Sequence, residues 1–264
     1  MTTRTIAGPA GTLNVDDGGS GGVPVVLLHG FGGNMSHWAA QLDHLRRTRR
    51  AIAIDLRGHG RSAAPADGDY AVESQVDDLS AVLDDTNIAR AVLVGHSLGG
   101  AIALAFAGRH PTRVRGLVLA SAPGRVPEEQ SRQVVGAMEA DYEGTSAGYW
   151  ERLTAGAAPD VVDQLRRERA DLDSTAGLAI IKATFAFDPL SALQAYHGPR
   201  PAITTPHAGA PHELHNLDPD LPHRVMTGTS HFLQMDRPDE FNDILDEFLA
   251  LVDSADVART GRGH

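Results

Sequence analysis

The chain has 264 residues and a formal net charge of −11, from 34 acidic and 23 basic side chains. Its length suits one large domain with a sizeable core, and its 42% hydrophobic and 22% charged residues are ordinary for a globular protein. The acidic balance disfavours nucleic acid as a partner, and the absence of cysteine excludes disulfides and thiolate chemistry.

Short, apolar, mostly β-branched runs alternate with longer segments of helical periodicity over residues 23 to 118. Apolar runs of this kind are typical of strands buried on both faces of a parallel sheet. Helices are predicted at Val72–Leu83, from the spacing of its valines and leucines, and at Ala101–Ala107. The strands predicted in this half are Val25–Leu28, Ile52–Ile54, Ala91–Val94 and Leu117–Leu119.

The alternation stops at residues 124 to 198, which contain three or four helical segments and no convincing strand. Helices are predicted there at Glu129–Tyr142, Tyr149–Thr154 and Val161–Leu172. An insertion of helices between two strands of a sheet is expected to form a lid over one end of that sheet.

The strand pattern resumes after the helical insertion, at Pro201–Thr205 and His223–Met226, and a helix opened by Pro238 runs to Val252. This order predicts a core domain in two parts with the lid between them. The predicted divisions are a first core part at 1–123, the lid at 124–198, a second core part at 199–254 and a flexible tail at 255–264.

The segment Gly95-His96-Ser97-Leu98-Gly99 fits the pattern G-x-S-x-G and lies between a predicted strand and a predicted helix. In that context the serine occupies a sharp strand-to-helix turn, and neighbouring glycines let the turn close because they lack a Cβ. The helix amino terminus behind the serine stabilises negative charge. Ser97 is therefore the candidate nucleophile.

Two further segments follow strands and complete a catalytic pattern. The turn His29-Gly30-Phe31-Gly32-Gly33 can lend a backbone N–H to an oxyanion, so the amides of Phe31 and Leu98 are the predicted oxyanion donors. His231 lies late in the chain, after the last predicted strand, and a neutral imidazole can accept the serine proton. His231 is therefore the predicted general base.

These motifs together resemble the α/β-hydrolase superfamily, in particular its esterase and lactonase members with a helical cap. The resemblance covers about residues 23 to 252 and implies a mostly parallel eight-stranded sheet flanked by helices, with an inserted helical cap. It also implies that Asp55–Ser62 is a structural turn without a catalytic role. The segments that carry the resemblance are His29–Phe31, Asp55–Ser62, Gly95–Gly100 and Gly228–His231.

The same resemblance calls for an acid after the penultimate strand, where it would orient the histidine. Ala210 occupies the position at which that aspartate is expected, in the turn Pro206–Pro211. Four alternatives remain open. They are Glu213, Asp218, one of Glu128 and Glu129, or no acid at all.

The substrate side is less determined by the sequence. Asn34, Trp150 and Phe185 are the predicted substrate-binding residues, and no basic cluster suggests an anionic substrate. The histidine-rich segment before His231 includes only one pair at a useful ligand spacing, His212 and His215, so neither a metal nor a cofactor is expected. No apolar run approaches the ~18 residues of a membrane span and no signal-peptide pattern opens the chain, which predicts a cytoplasmic protein.

The sequence thus favours a hydrolase of a small-molecule carboxylic ester, lactone or thioester that acts through an acyl-enzyme on Ser97. Two other classes remain compatible with the same fold. One is a lyase or cofactor-free oxygenase that uses His231 as a base, and the other is a non-catalytic ligand receptor. The sequence does not indicate the acyl group, the leaving group or the oligomeric state.

Overall fold

The computed structural model describes residues 3–206 and 212–260. Its strands are β1 (Thr3–Gly8), β2 (Gly11–Gly18), β3 (Val25–Leu28), β4 (Ala51–Ile54), β5 (Ala91–His96), β6 (Val114–Ala120), β7 (Ala202–Thr204) and β8 (His223–Val225). They form one sheet in the order β1-β2-β4-β3-β5-β6-β7-β8. β2 is antiparallel to β1 and to β4, and the pairings from β4 through β8 are parallel.

The predicted mostly parallel eight-stranded sheet is confirmed, but sequence periodicity does not locate its first hairpin. In β2 the polar Asn14 and Asp16 are buried as well as Leu13 and Val15, so the strand lacks the usual alternation of apolar and polar residues. Asn14 is satisfied there because its side-chain amide donates to Asp55 at 2.8 Å. The burial of these polar residues removes the alternating apolar pattern by which the sequence would have predicted β2.

Helices cover both faces of the sheet. Each strand contributes apolar side chains to both faces, because successive strand residues point to opposite sides. Val26 and Leu28 face one apolar cluster, and Val25 and Leu27 face the other. The first cluster includes residues of α2 (Val72–Asp85) and α3 (Leu98–Arg109), and the second includes residues of α1 (Ala39–Leu45) and α11 (Pro238–Thr260). Two short helices are α9 (Leu214–Leu217), after β7, and α10 (Leu233–Asp236), after β8.

Between β6 and β7 the chain forms five helices, one or two more than the sequence predicts. The last of them packs closely on the core, since a Cβ added at Gly108 of α3 would lie 2.8 Å from the Ala192 Cα atom. The final helix also differs from its prediction, because it continues to Thr260 and includes the first part of the expected tail. The helices of the insertion are α4 (Glu128–Ala140), α5 (Tyr142–Thr154), α6 (Pro159–Ala170), α7 (Ser174–Ala186) and α8 (Pro189–Ala195).

Within the described ranges no single helix is both long and apolar enough to cross a membrane. The bent pair α7 and α8 reaches that length and composition only when its two helices are taken together.

Candidate active site

Ser97 occupies a strained turn between β5 and α3. Its backbone angles are φ 50° and ψ −119°, in a region that residues with a side chain rarely adopt. A Cβ added at Gly95 would collide with the Gly99 carbonyl oxygen, and one added at Gly99 would collide with the Leu28 carbonyl oxygen. The Ser97 amide donates to the Ala120 carbonyl at 2.9 Å. The turn is thus fixed by backbone contacts on both sides.

The glycine-rich turn after β3 lies directly against this serine. A Cβ added at Gly30 would lie 3.1 Å from the Ser97 Cβ atom. The buried Phe31 has an amide without an acceptor among the described residues, and Leu98 stands first in α3, where an amide has no intrahelical acceptor. Both predicted oxyanion donors therefore lie beside the serine.

Buried histidines order the turn. The His29 side chain accepts the Leu56 amide at 3.0 Å through Nε2, and the His59 Nε2 atom accepts the Gly32 amide at 3.1 Å. Burial lowers the pKa of His29 well below its usual value and that of His59 to about 4, which keeps both rings neutral and able to accept. The Asp55 carboxylate accepts a further hydrogen bond, from the Met35 amide at 2.8 Å. The segment Asp55–Ser62, which the resemblance marks as a structural turn, thus supports the glycine-rich turn His29–Gly33, a role that its motif does not reveal.

His231 lies on the loop between β8 and α10, next to the residue that precedes Ser97. The His96 ring lies 4.8 Å from the His231 ring, and His96 Nε2 donates to the His231 carbonyl at 2.9 Å. The His231 amide donates to Leu153 of α5 at 3.0 Å. Ser97 and His231 therefore lie in adjoining loops, although the described residues include no hydrogen bond between the serine hydroxyl and the imidazole.

The pKa of His231 is lowered to about 4, and burial is its cause. A nearby carboxylate would act in the opposite direction, because a negative charge favours the protonated imidazole. Within residues 3–206 and 212–260, no side-chain carboxylate accepts a hydrogen bond from His231. The imidazole is thus neutral at pH 7, and its loop is held by the backbone hydrogen bonds of His231.

The four candidate acids lie elsewhere. Glu213 precedes α9, and burial raises the pKa of its carboxyl, with a smaller opposing effect from His212. Asp218 accepts from Arg200 at 3.1 Å. Glu128 and Glu129 are exposed and pair with one arginine of α4. The structure joins none of them to His231, and the turn around Ala210 lies outside the described residues.

The predicted substrate-binding residues have different surroundings. Asn34 caps the short 3-10 helix Met35–Trp38, since its side chain accepts the Ser36 amide at 2.8 Å. Phe185 lines a cavity of about 860 Å³ whose lining does not include Ser97. Trp150 stacks its ring on Phe31 of the glycine-rich turn, with 6.0 Å between the ring centroids.

Four side chains, here called the polar clasp, join the insertion to the core beside the site: Ser36, His37, Gln164 and Glu168. The carboxylate of Glu168 lies 2.6 Å from His37 Nε2 and accepts from the Ser36 hydroxyl at 2.7 Å. Burial works to raise the pKa of Glu168, but His37, Ser36 and Gln164 outweigh it and lower that pKa to about 2. His37 and Glu168 are 131 residues apart in the chain, so local sequence patterns do not predict the polar clasp.

Potential metal ligands are dispersed. Among the described residues, no three histidine or acidic side chains come together as a metal-binding group. His215, one of the predicted pair, packs its ring on that of His223 at 4.6 Å.

Comparisons with known proteins agree with this architecture. The family model for the alpha/beta hydrolase fold matches residues 23–210, which is more than half of the chain. A 2-hydroxymuconate semialdehyde hydrolase of Pseudomonas sp. (strain CF600) is 45% identical over 114 residues, which are 42% of this chain and 40% of that protein. The match therefore spans less than two thirds of that relative's length.

Two solved structures resemble the whole chain. One, described as an N-acyl homoserine lactone degrading enzyme, has a TM-score of 0.83 and 28% identity, and the match covers 93% of this chain and all of the other. The other is a thermophilic esterase from Thermogutta terrifontis, with a TM-score of 0.81, 25% identity, and coverage of 96% of this chain and all of that one.

Proposed function

Because the chain belongs to the α/β-hydrolase family, we propose that it is a serine hydrolase that cleaves a carboxylic ester, lactone or thioester. The observation that carries the proposal is the left-handed Ser97 turn, with the loop of His231 on one side and, on the other, the Phe31 amide, which has no acceptor within the described ranges. Relatives named as hydrolases and an esterase of similar structure add support.

In the proposed reaction the Ser97 hydroxyl oxygen attacks the carbonyl carbon while His231 takes the hydroxyl proton. The negative charge moves to the carbonyl oxygen, which accepts hydrogen bonds from the amides of Phe31 and Leu98. The tetrahedral intermediate then expels the alkoxide or thiolate, which receives the proton from His231. A water molecule, deprotonated by His231, hydrolyses the acyl-enzyme in the same way.

Two features support a serine–histidine pair that works without an acid. The His231 loop is held by its own backbone, through the Leu153 carbonyl and the His96 side chain, so its position does not depend on a carboxylate. The negative charge that develops at the oxyanion raises the proton affinity of the imidazole during the reaction. Glu213 stays the candidate acid that the sequence offers, and its substitution is a separate test.

The helical insertion is proposed to act as a cap over the serine. Its α5 carries Leu153 and Trp150 against the catalytic segments, and α6 carries half of the polar clasp. A roof of this kind excludes water and shapes the acyl or leaving-group pocket.

The proposal is tested with a fluorophosphonate probe and short-chain p-nitrophenyl esters. Wild-type protein should be labelled at Ser97 and should turn the esters over, and Ser97→Ala should lose both. Ser121→Ala is the matched control, because Ser121 also has a left-handed backbone, with φ 44°, and a buried hydroxyl. No Ser97-dependent labelling or turnover would refute the proposal. In a separate screen of carbon acids, activity that survives Ser97→Ala but not His231→Ala would indicate the lyase or oxygenase class.

A further inference from the structure

Trp150 of α5 lies against both catalytic segments. Its indole stacks on Phe31, with 6.0 Å between ring centroids, and on Phe232, with 5.7 Å and an angle of 11° between the planes. Phe31 carries a proposed oxyanion amide and Phe232 follows His231. The indole thus belongs to an aromatic layer directly beside the proposed reaction centre.

The benzene ring of this indole packs against the glycine-rich turn His29–Gly33. A Cβ added at Gly32 would lie 2.5 Å from the Trp150 Cζ2 atom, 3.1 Å from Cη2 and 3.6 Å from Cε2, the atom that carries Nε1. Nε1 is buried and has no acceptor among the described residues, and the whole side chain is 5% exposed. Burying an unpaired donor destabilises a protein, so this N–H is a place where a ligand can supply the missing acceptor.

The same tryptophan lines a cavity of about 430 Å³ between α5 and α6. The cavity has an apolar part with Ala147 and Leu165 and a charged part with Glu151 and Arg166. Its volume lies within the range of about 300 to 1,000 Å³ that is usual for small-molecule pockets. Trp150 is therefore the residue that this cavity shares with the catalytic turn.

The second tryptophan shows that an unpaired indole alone does not mark a site. Trp38 also has a buried Nε1 without an acceptor, but its side chain is 0% exposed and packs beside Phe241 in the apolar cluster under α11. What distinguishes Trp150 is its place between a cavity and the oxyanion turn.

We propose that the Trp150 N–H is a specificity-determining hydrogen-bond donor. It selects substrates whose acyl group carries a second, neutral acceptor oxygen close to the reacting carbonyl. The rings around the N–H are apolar, so an ether, keto, hydroxyl or amide oxygen loses less on leaving water than a carboxylate does. An acyl chain with a methylene at that place leaves the donor unpaired and is disfavoured. This inference rests on the proposed hydrolysis at Ser97.

The test compares p-nitrophenyl methoxyacetate with p-nitrophenyl butanoate, which differ by one oxygen in place of one methylene. Trp150 is replaced by benzothienylalanine, in which sulfur takes the place of the N–H and the ring size is kept. The ratio of the two kcat/KM values should fall about tenfold to a hundredfold. The ratio, and not either rate, is the readout because the methoxy group activates its ester in every variant. The same replacement at Trp38 should leave the ratio within about twofold.

The outcomes separate this inference from the proposed function. Ser97-dependent turnover of both esters with an unchanged ratio would overturn the role of Trp150 alone. If neither ester is hydrolysed, the proposed function fails, and binding is measured instead. Methoxyacetone should then move the indole proton resonance of Trp150 downfield more than pentan-2-one does, with the resonance assigned through Trp38→Phe. Equal shifts would overturn the inference without reference to catalysis.

Discussion

The sheet side and the insertion side of the candidate site are held in different ways. On the sheet side, Ser97 is fixed by its own backbone, by neighbours that must be glycine and by a hydrogen bond to the Ala120 carbonyl. On the insertion side, the polar clasp and the Trp150 stack are made by side chains. The position of Ser97 therefore depends on the main chain of the core, whereas the polar clasp and the Trp150 stack can each be removed by one substitution.

The largest expected effect comes from filling space on the sheet side. Gly99→Ala should destabilise the protein by more than about 3 kcal/mol, because the new Cβ would collide with the backbone of β3. The matched change on the insertion side is Gly136→Ala in α4, where nothing lies within 4 Å of the new Cβ. It should stabilise by about 0.5 to 1 kcal/mol, since alanine is the better helix former. Urea unfolding measures both, and equal effects would remove the contrast between the two sides.

The second prediction concerns the pH dependence of the base. His231 must be neutral to accept a proton, and it is neutral above its own pKa of about 4. The acid limb of kcat/KM should therefore lie near that pH. At pH 5 the activity should stay close to its value at pH 7, whereas an imidazole of ordinary pKa would lose about 30-fold. An acid limb near pH 6.5 would contradict the buried position of the ring.

The pH profile of kcat/KM requires a control, which is the stability of the fold over the same pH range. His29, His59, His96 and His231 all have lowered pKa values in the fold, so the unfolded chain binds more protons than the folded one below about pH 6.5. Stability should thus be complete above that pH and decline as the pH falls toward 4. Circular dichroism at each pH separates loss of fold from protonation of the base.

A smaller effect is expected from the polar clasp. Glu168→Gln removes the charge that pairs with His37, which should make amide hydrogen exchange in α6 about tenfold faster. Exchange in β5 should not change, because its strand pairs remain intact. Glu128→Gln, at a side chain that is 89% exposed, is the control within the insertion. Equal acceleration in β5 and α6 would mean that the insertion does not open separately from the sheet.

The smallest effect is expected at the candidate acid. Glu213→Gln should lower kcat by less than about threefold, because the described contacts of Glu213 do not reach His231. An acid that orients the imidazole would instead give a loss on the order of 10⁴-fold. Steady-state kinetics decides between the two, and a large loss would show that the sheet side also depends on a distant side chain.

The sequence predicts the sheet-side elements well because their signals are local. The apolar strand β3 matches its predicted range, and the helix after Ser97 is predicted from its alanine-rich apolar sequence. The sequence does not predict the hairpin of β1 and β2, because buried polar residues of β2 take part in hydrogen bonds with distant residues. The sequence does not predict α7 and α8 as separate helices, since α7 is apolar on most sides and lacks a clear periodic stripe.

For the candidate site, the sequence alone predicts those features whose residues all lie in one short segment. The glycines around Ser97 and the free amide of Phe31 follow from motif and context. The support of the oxyanion turn by His59 and the pairing of His37 with Glu168 join residues far apart in the chain. Only three-dimensional contact reveals such partners.

The hydrogen bond from the His231 amide to the Leu153 carbonyl has an evolutionary consequence. A main-chain carbonyl is present at every residue, so this attachment imposes no particular side chain on the insertion. Mutations can therefore accumulate around Leu153, or the insertion can be exchanged for another of similar path, while the loop of the base keeps its anchor. The substrate range of such a protein can diverge faster than its chemistry.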